Sequence, residues 1–190
     1  MSEESEKRES IPRLQTERLI LRPFCLYDAK IYRQLASSPE VLQGTDMPHS
    51  FEEGAIEEWI ISHSDRWNQR YELFLLVTSK VNRAIVGSVS LFLYMRHNKA
   101  DLGYWIAPKE WGKGYATEAC EVVVGYGFEA IKLHKIEANH LARNPASGKV
   151  LEKLGFQVEG LQRESYLKDG VHEDLKLYGF LQREFLERKK

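Results

Sequence analysis

Hydrophobic and polar positions follow two periods along this chain, and the switches between them mark out a mixed series of strands and helices. Leu19 to Arg22 (LILR) is a short apolar run closed by Pro23, which predicts a first strand. Asp28 to Leu35 and Phe51 to Trp67 carry helical spacing, with Pro39, Gly44 and Pro48 breaking the chain between them. In the second of these helices Ile56, Trp59, Ile60, His63 and Trp67 recur every three or four residues and form one amphipathic stripe. Leu73 to Thr78, Ala84 to Leu93 and Asp101 to Ile106 read as three strands, with Arg96 to Lys99 as a polar turn. Helical period returns from Thr117 to Phe128. Gly125 and Gly127 within it each cost about 1 kcal/mol against Ala, which points to close packing or local bending. Lys135 to Asn139 alternates as a strand. Asn144 then supplies an N-cap and Pro145 a first helical residue for a helix to Leu154, stopped by Gly155. Phe156 to Glu159 and Leu175 to Phe180 complete the sheet, with a turn at Lys168-Asp169-Gly170 between them.

Three consecutive strands in the middle imply an antiparallel meander, and the strand–helix–strand passage after Asp101 implies a parallel crossover. The expected fold is α/β (α+β): a mixed, mostly antiparallel sheet of six to seven strands with helices on both faces. No repeat or linker divides the chain, so residues 13–190 are expected to form one domain. Residues 1–12, opening MSEESEKRES, are expected to form a disordered arm.

Composition narrows the function classes. A chain of 190 residues can bury roughly 70% of its unfolded surface in one core. Lys and Arg number 27 against 28 Asp and Glu, so no global field favours nucleic acid or anionic lipid. No apolar run approaches the ~20 residues of a membrane span, and the polar N-terminus lacks the apolar middle of a signal peptide. Only Cys25 and Cys120 are present, which excludes a disulfide framework or a Cys-based zinc site. A cytoplasmic, reduced protein is expected. His134, His140 and His172 can titrate near neutral pH, but their spacing suits no metal site.

The segment carrying chemistry is Trp111-Gly112-Lys113-Gly114-Tyr115-Ala116, between a strand and a helix. Glycine there permits positive φ and close approach to a ligand, while the first-turn N–H groups of the helix lack internal partners. An anionic group suits that end of the helix dipole, and a pyrophosphate suits the span of amides. A Walker loop needs Ser or Thr after its Gly-Lys, and here Gly114 follows Lys113. A dinucleotide loop needs a third glycine, where Thr117 stands.

The run DLGYWIAPKEWGKGYATEA, followed later by NPASGKVLEKLGF, resembles the GNAT superfamily of N-acetyltransferases. The opening TERLILRPF, Thr16 to Phe24, is similar to the branch that acetylates ribosomal-protein N-termini, the RimJ/RimL type. The resemblance spans about Thr16 to Arg183. It implies acetyl-CoA as cosubstrate, no metal, and direct attack of an amine on the thioester. The phosphate signature falls with Trp111 at its first position, Gly114 at the central glycine and Ala116 at the last. Amides of Gly112, Lys113, Gly114, Tyr115, Ala116 and Thr117 would then cradle the pyrophosphate.

The resemblance further implies that the preceding strand splays from its neighbour over Tyr104 to Ala107. The amide of Ile106 or Ala107 would contact the thioester oxygen, and Asp101 would accept the amine proton. A plain strand-end carboxylate beside Lys99 is the other reading of Asp101. Glu118 is a second acid, placed to complement the helix dipole. Asn144 would hold the pantetheine arm and Ser147 would lie near the sulfur. Many relatives carry a tyrosine acid seven residues after this asparagine, and here Leu151 stands there. Ser147, or a water it orients, is the expected substitute.

The partner is expected to be an amine acceptor, a protein N-terminus by the branch resemblance. A small amine such as a polyamine, amino acid or drug is one alternative, and a non-catalytic acyl-CoA sensor is another. Acceptor contacts are expected from Gln43 to Phe51, Met95 to Asn98 and Arg163 to Asp174, with Tyr166 and Glu173 as candidates. Trp59 and Trp67 fit a buried helix face. Monomer and homodimer are both open.

Overall fold

Strands covered on both faces need hydrophobes at nearly every position, and the continuous apolar runs take the centre of the sheet for that reason. The computed structural model describes residues 9–45, 52 and 54–189. Its strands are β1 (Leu14–Gln15), β2 (Leu19–Arg22), β3 (Glu72–Ser79), β4 (Ile85–Tyr94), β5 (Lys99–Ile106), β6 (Lys135–Leu141), β7 (Gln157–Lys168) and β8 (Val171–Leu181). They form one sheet in the order β1-β2-β3-β4-β5-β6-β8-β7. Every neighbouring pair is antiparallel except β5 and β6, which are parallel.

The helices are α1 (Ala29–Ala36), α2 (Pro39–Gly44), α3 (Ala55–Asn68), α4 (Tyr115–Glu129), α5 (Pro145–Leu154) and α6 (Gln182–Arg188). α4 makes the expected parallel crossover between β5 and β6. One core joins the sheet to α4 and α5 through residues such as Leu75, Leu91, Val123, Phe128 and Leu151. The other lies under α1 and α3, around Phe24, Tyr32, Ile56, Ile60 and Trp105. Helices thus cover both faces.

Eight strands replace the expected six to seven. β1 has two residues, too few for any alternation to announce it. β7 and β8 outgrow their apolar cores because β7 is exposed along most of its length and carries no burial pattern. α2 occupies a stretch bracketed by apparent breakers. Pro39 stands in its first turn and Gly44 at its end, positions each residue tolerates. Gly127 bears out close packing: a Cβ there would lie 3.0 Å from Ile136 Cδ1. Residues 1–8 of the expected arm, and Phe51 of the expected second helix, lie outside the described residues. Glu9 donates its backbone N–H to Asn68 Oδ1 at 2.8 Å and pairs with Arg70, while Ile11 packs on the core.

His63 is buried on α3, stacked on Phe74 at 5.3 Å and edge-on to Trp59 at 4.3 Å. Neither ring nitrogen has a hydrogen-bond partner among the described residues. Burial, with Arg66 adding to it, pushes the imidazole pKa from 6.5 down to about 4. The unfolded chain therefore binds a proton that the folded chain refuses between those values. Stability from this site is complete above pH 6.5 and is lost as pH falls toward about 4. We expect wild type to lose about 2 to 3 kcal/mol more than His63→Leu between pH 8 and pH 4.5, read by urea denaturation.

Candidate active site

Between β5 and α4 the chain makes a 3-10 turn, Pro108–Glu110, and then the glycine turn. Gly112 (φ 74°) and Gly114 (φ 79°) both take the left-handed region that side chains disfavour. A Cβ on Gly112 would meet nothing within 4 Å, so the backbone is open to a ligand there. The first N–H of α4 to reach a carbonyl is that of Glu118, on Gly114 O at 3.1 Å. Amides from Gly112 to Thr117 have no acceptor among the described residues. That array fits the pyrophosphate of coenzyme A by donor chemistry and by dipole sign. Lys113 pairs with Glu110 at 2.8 Å, so its charge is partly neutralised. Trp111, where the family pattern has a polar residue, donates its indole N–H to Ile106 O at 2.6 Å and fastens the turn to the end of β5.

A buttress stands behind the turn. Arg18 donates from Nη1 to Lys113 O at 3.0 Å, pairs with Glu118 at 2.5 Å and lies 4.7 Å over the Tyr115 ring. Thr16 Oγ1 donates to the same Glu118 carboxylate. Burial pushes the Glu118 pKa up, but hydrogen bonds from Thr16 and Arg18 outweigh it and hold the group ionised below its ordinary range. Glu118 is thus an anchor at the helix start. Arg18 is part-exposed, so its pair is worth ~1 kcal/mol at most. Arg18→Ala is expected to raise KM for acetyl-CoA about three- to fivefold, with kcat unchanged, in steady-state kinetics.

β5 and β6 pair only at Lys99↔Lys135, Ala100↔Ile136 and Asp101↔Glu137, whereas β4 and β5 stay paired through Ile106. Beyond Asp101 the two strands splay. The Ala107 N–H donates to Val86 O at 2.8 Å, on the β4 side. This corrects the expectation for Ala107, whose amide is engaged and unable to meet a thioester oxygen. Alternation along the strand turns the N–H groups of Tyr104 and Ile106 toward the open side. The Ile106 amide is the one left as a candidate.

At the mouth of the splay lies a cleft of about 730 Å3 that holds both Asp101 and Ser147. The glycine turn is not among its lining residues. Asn144 caps α5, its Oδ1 accepting the Ser147 N–H at 3.3 Å. Leu151, in the place of the family tyrosine, is fully buried in the core. A tyrosine hydroxyl arrives from β5 instead: Tyr104 OH lies 2.7 Å from Ser147 Oγ and 3.0 Å from Ser147 O. Burial pushes the Tyr104 pKa well up, so its hydroxyl stays a donor. Asp101 accepts from Tyr94 OH at 3.1 Å, while Lys99 pairs with Glu137 at 2.5 Å. Burial raises the Asp101 pKa; the Tyr94 hydrogen bond opposes the rise and Glu137 adds to it.

Residues 18–157 match the family described as acetyltransferase (GNAT) domain. The chain belongs to the GNAT acetyltransferase family. YoaA of Bacillus subtilis (strain 168), an uncharacterised N-acetyltransferase, is 30% identical over 175 residues, covering 90% of this chain and 97% of that protein. The spermidine N(1)-acetyltransferase of Vibrio cholerae is 30% identical over 113 residues, 59% of this chain and 65% of its own. The ribosomal protein uS5-alanine N-acetyltransferase of Escherichia coli (strain K12) is 38% identical over 73 residues, 38% of each chain. A solved structure described as a probable acetyltransferase superposes with TM-score 0.83 at 26% identity, covering 92% of this chain and 99% of that one. The GNAT family takes its acetyl group from acetyl-CoA.

Within this GNAT enzyme the expected acceptor segments contribute unevenly. Gly44, Thr45 and Tyr166 line the cleft, while residues 46–51 lie outside the described residues. Glu173 pairs with Arg143 at 2.7 Å. Trp67 is buried as expected, but Trp59 is half-buried and lines the cleft, because α3 turns that edge of its stripe to the opening. His134 and His172 are exposed, and His140 is buried against Leu141 O and Tyr178 OH. No cluster of three or more metal-binding side chains occurs among the described residues. Among them also, no helix is long and apolar enough to cross a membrane. The sequence places Tyr104 on the splayed strand but gives no sign of its hydroxyl's contact with Ser147, nor of the part Arg18 plays behind the turn.

Proposed function

We propose that this GNAT enzyme acetylates an α-amine, that of a protein or peptide N-terminus, by direct attack on the thioester of acetyl-CoA. The observation that carries the reading is the cleft that joins Asp101 to the Ser147–Tyr104 pair across the splayed strands. Acetyl-CoA supplies the acyl group, activated as a thioester. Amides of the glycine turn bind its phosphates, and Asn144 holds the pantetheine arm at the start of α5, the helix that brings Ser147 to the cleft. Asp101 takes the proton of the attacking amine as the C–N bond forms. The Ile106 N–H supports the charge on the carbonyl oxygen. Tyr104 orients Ser147 Oγ, which donates toward the departing sulfur as the C–S bond breaks. A thiol of pKa ~8.5 leaves readily as thiolate, so a hydroxyl donor suffices.

Amine chemistry supports the choice of an N-terminus. At pH 7 roughly a tenth of an α-amine of pKa ~8 is neutral, against under a thousandth of a lysine amine of pKa ~10.4. That gap is about 3 kcal/mol in available nucleophile, and it suits a site with one modest base. Asp101 is the single carboxylate among the described lining residues, which disfavours a polyamine carrying several charges. Asp101→Asn is expected to lower kcat by about 100-fold at pH 7, with KM for acetyl-CoA unchanged. The deficit should narrow above pH 8.5, where the amine is neutral without help. A pH–rate profile matching wild type would place the base elsewhere.

A further inference from the structure

The acceptor side of the cleft has a chemistry of its own. Trp59 from α3 and Phe74 from β3 meet edge to face at 4.8 Å, and Phe92 from β4 continues the wall at 6.4 Å from Phe74. Behind them Tyr32 stacks on Trp59 at 5.5 Å and tilts on Trp105 at 5.4 Å. Trp59 and Phe74 remain half-buried although rings surround them, and Phe92 is 39% exposed, so their free faces look into the cleft. Phe92 stands directly across from Asp101 in the β4–β5 register. The apolar wall therefore begins next to the carboxylate.

The hydroxyl and indole groups along this wall are already engaged, and the unpartnered His63 imidazole is itself buried against Phe74 and Trp59. Trp105 Nε1 donates to Tyr32 OH at 3.3 Å, Tyr32 OH lies 3.5 Å from Ser88 Oγ, and Ser90 Oγ donates to Gly103 O at 3.4 Å. An ammonium placed against these rings, away from Asp101, would lose water and gain a cation–π contact but no carboxylate. An apolar group there would lose only unfavourable hydration.

We infer that the acceptor cleft selects an α-amine with a large apolar or aromatic side chain on the same carbon, as in a peptide beginning with Phe, Leu or Met. The amine would meet Asp101 while that side chain packs among Trp59, Phe74 and Phe92. The inference rests on the α-amine reading above and adds the identity of the neighbouring group. It separates this enzyme from acceptors with a small first residue and from polyamines.

The test uses the full chain, saturating acetyl-CoA and peptides identical after residue 1, with Phe, Leu, Met, Ala, Ser or Gly first. Spermidine is included, and initial rates of N-acetyl product are read by mass spectrometry. Peptides with Phe, Leu or Met should exceed those with Ser or Gly by roughly 10- to 100-fold in kcat/KM, mostly through KM. Phe74→Ala should bring that ratio near unity with KM for acetyl-CoA unchanged, while Phe74→Leu should keep most of it. Equal kcat/KM across the series, or a preference for Ser or Gly, overturns the inference and leaves the α-amine reading standing. Turnover of spermidine alone, or of no amine at all, overturns both.

Discussion

Gly114→Val is expected to raise the dissociation constant for acetyl-CoA at least thirtyfold, measured by calorimetry. Gly114 holds φ 79° at the residue before α4, where a β-branched side chain costs on the order of 1–2 kcal/mol. A Cβ there would stand at an ordinary contact distance of 3.5 Å from Arg18 Nη2, so the positive φ is the main source of strain. Relief of that strain is expected to turn the amides of Gly114 and Tyr115 out of their present orientation. Each charge-assisted hydrogen bond to a phosphate is worth ~1.5–3 kcal/mol, so misaligning one or two accounts for the loss. The melting temperature should fall by only a few degrees, since Gly114 is exposed and outside the core. Unchanged affinity in a folded variant would move the phosphates away from this turn.

Ser147→Ala is expected to lower kcat by roughly 10- to 100-fold and leave KM for acetyl-CoA within about twofold, following the ~1.5–3 kcal/mol of a hydrogen bond to a charged group. The α5 cap survives this change, because Asn144 accepts from the Ser147 backbone N–H and not from its hydroxyl. Tyr104→Phe should cost less, about three- to tenfold, since it removes the orienting partner and keeps the donor. The double variant should be little worse than Ser147→Ala alone, because both act on one bond. Full kcat in Ser147→Ala would mean that C–S cleavage needs no donor from α5. Additive losses would mean that Tyr104 acts independently of Ser147.

How far the sequence reached depended on how locally each feature is encoded. α5 was legible almost to the residue, since Asn144, Pro145 and Gly155 are start and stop signals within one helix. The glycine turn was legible for the same reason, and the crossover followed from a helix between two strands. Partners distant in sequence were not. Tyr104 reaches Ser147 across 43 residues and Arg18 reaches Glu118 across 100, and no period or spacing reports such a meeting. Pleat direction fixes which N–H groups face β4, so the engagement of the Ala107 amide follows only from the register. Helical period places Trp59 on the apolar face of α3 but cannot separate the centre of that face from its rim, where Trp59 stands.

One reaction at one cleft is proposed for this enzyme: transfer from acetyl-CoA to an α-amine served by Asp101. The most direct measurement gives wild-type protein acetyl-CoA and a peptide carrying both a free N-terminus and an internal lysine, then maps the product by fragmentation mass spectrometry. Acetylation is expected at the α-amine, stoichiometric with thiol release, with the Asp101→Asn product appearing about 100-fold more slowly at pH 7. Acetylation confined to lysine, or no product while acetyl-CoA binds normally, would rule out an α-amine acceptor at this cleft.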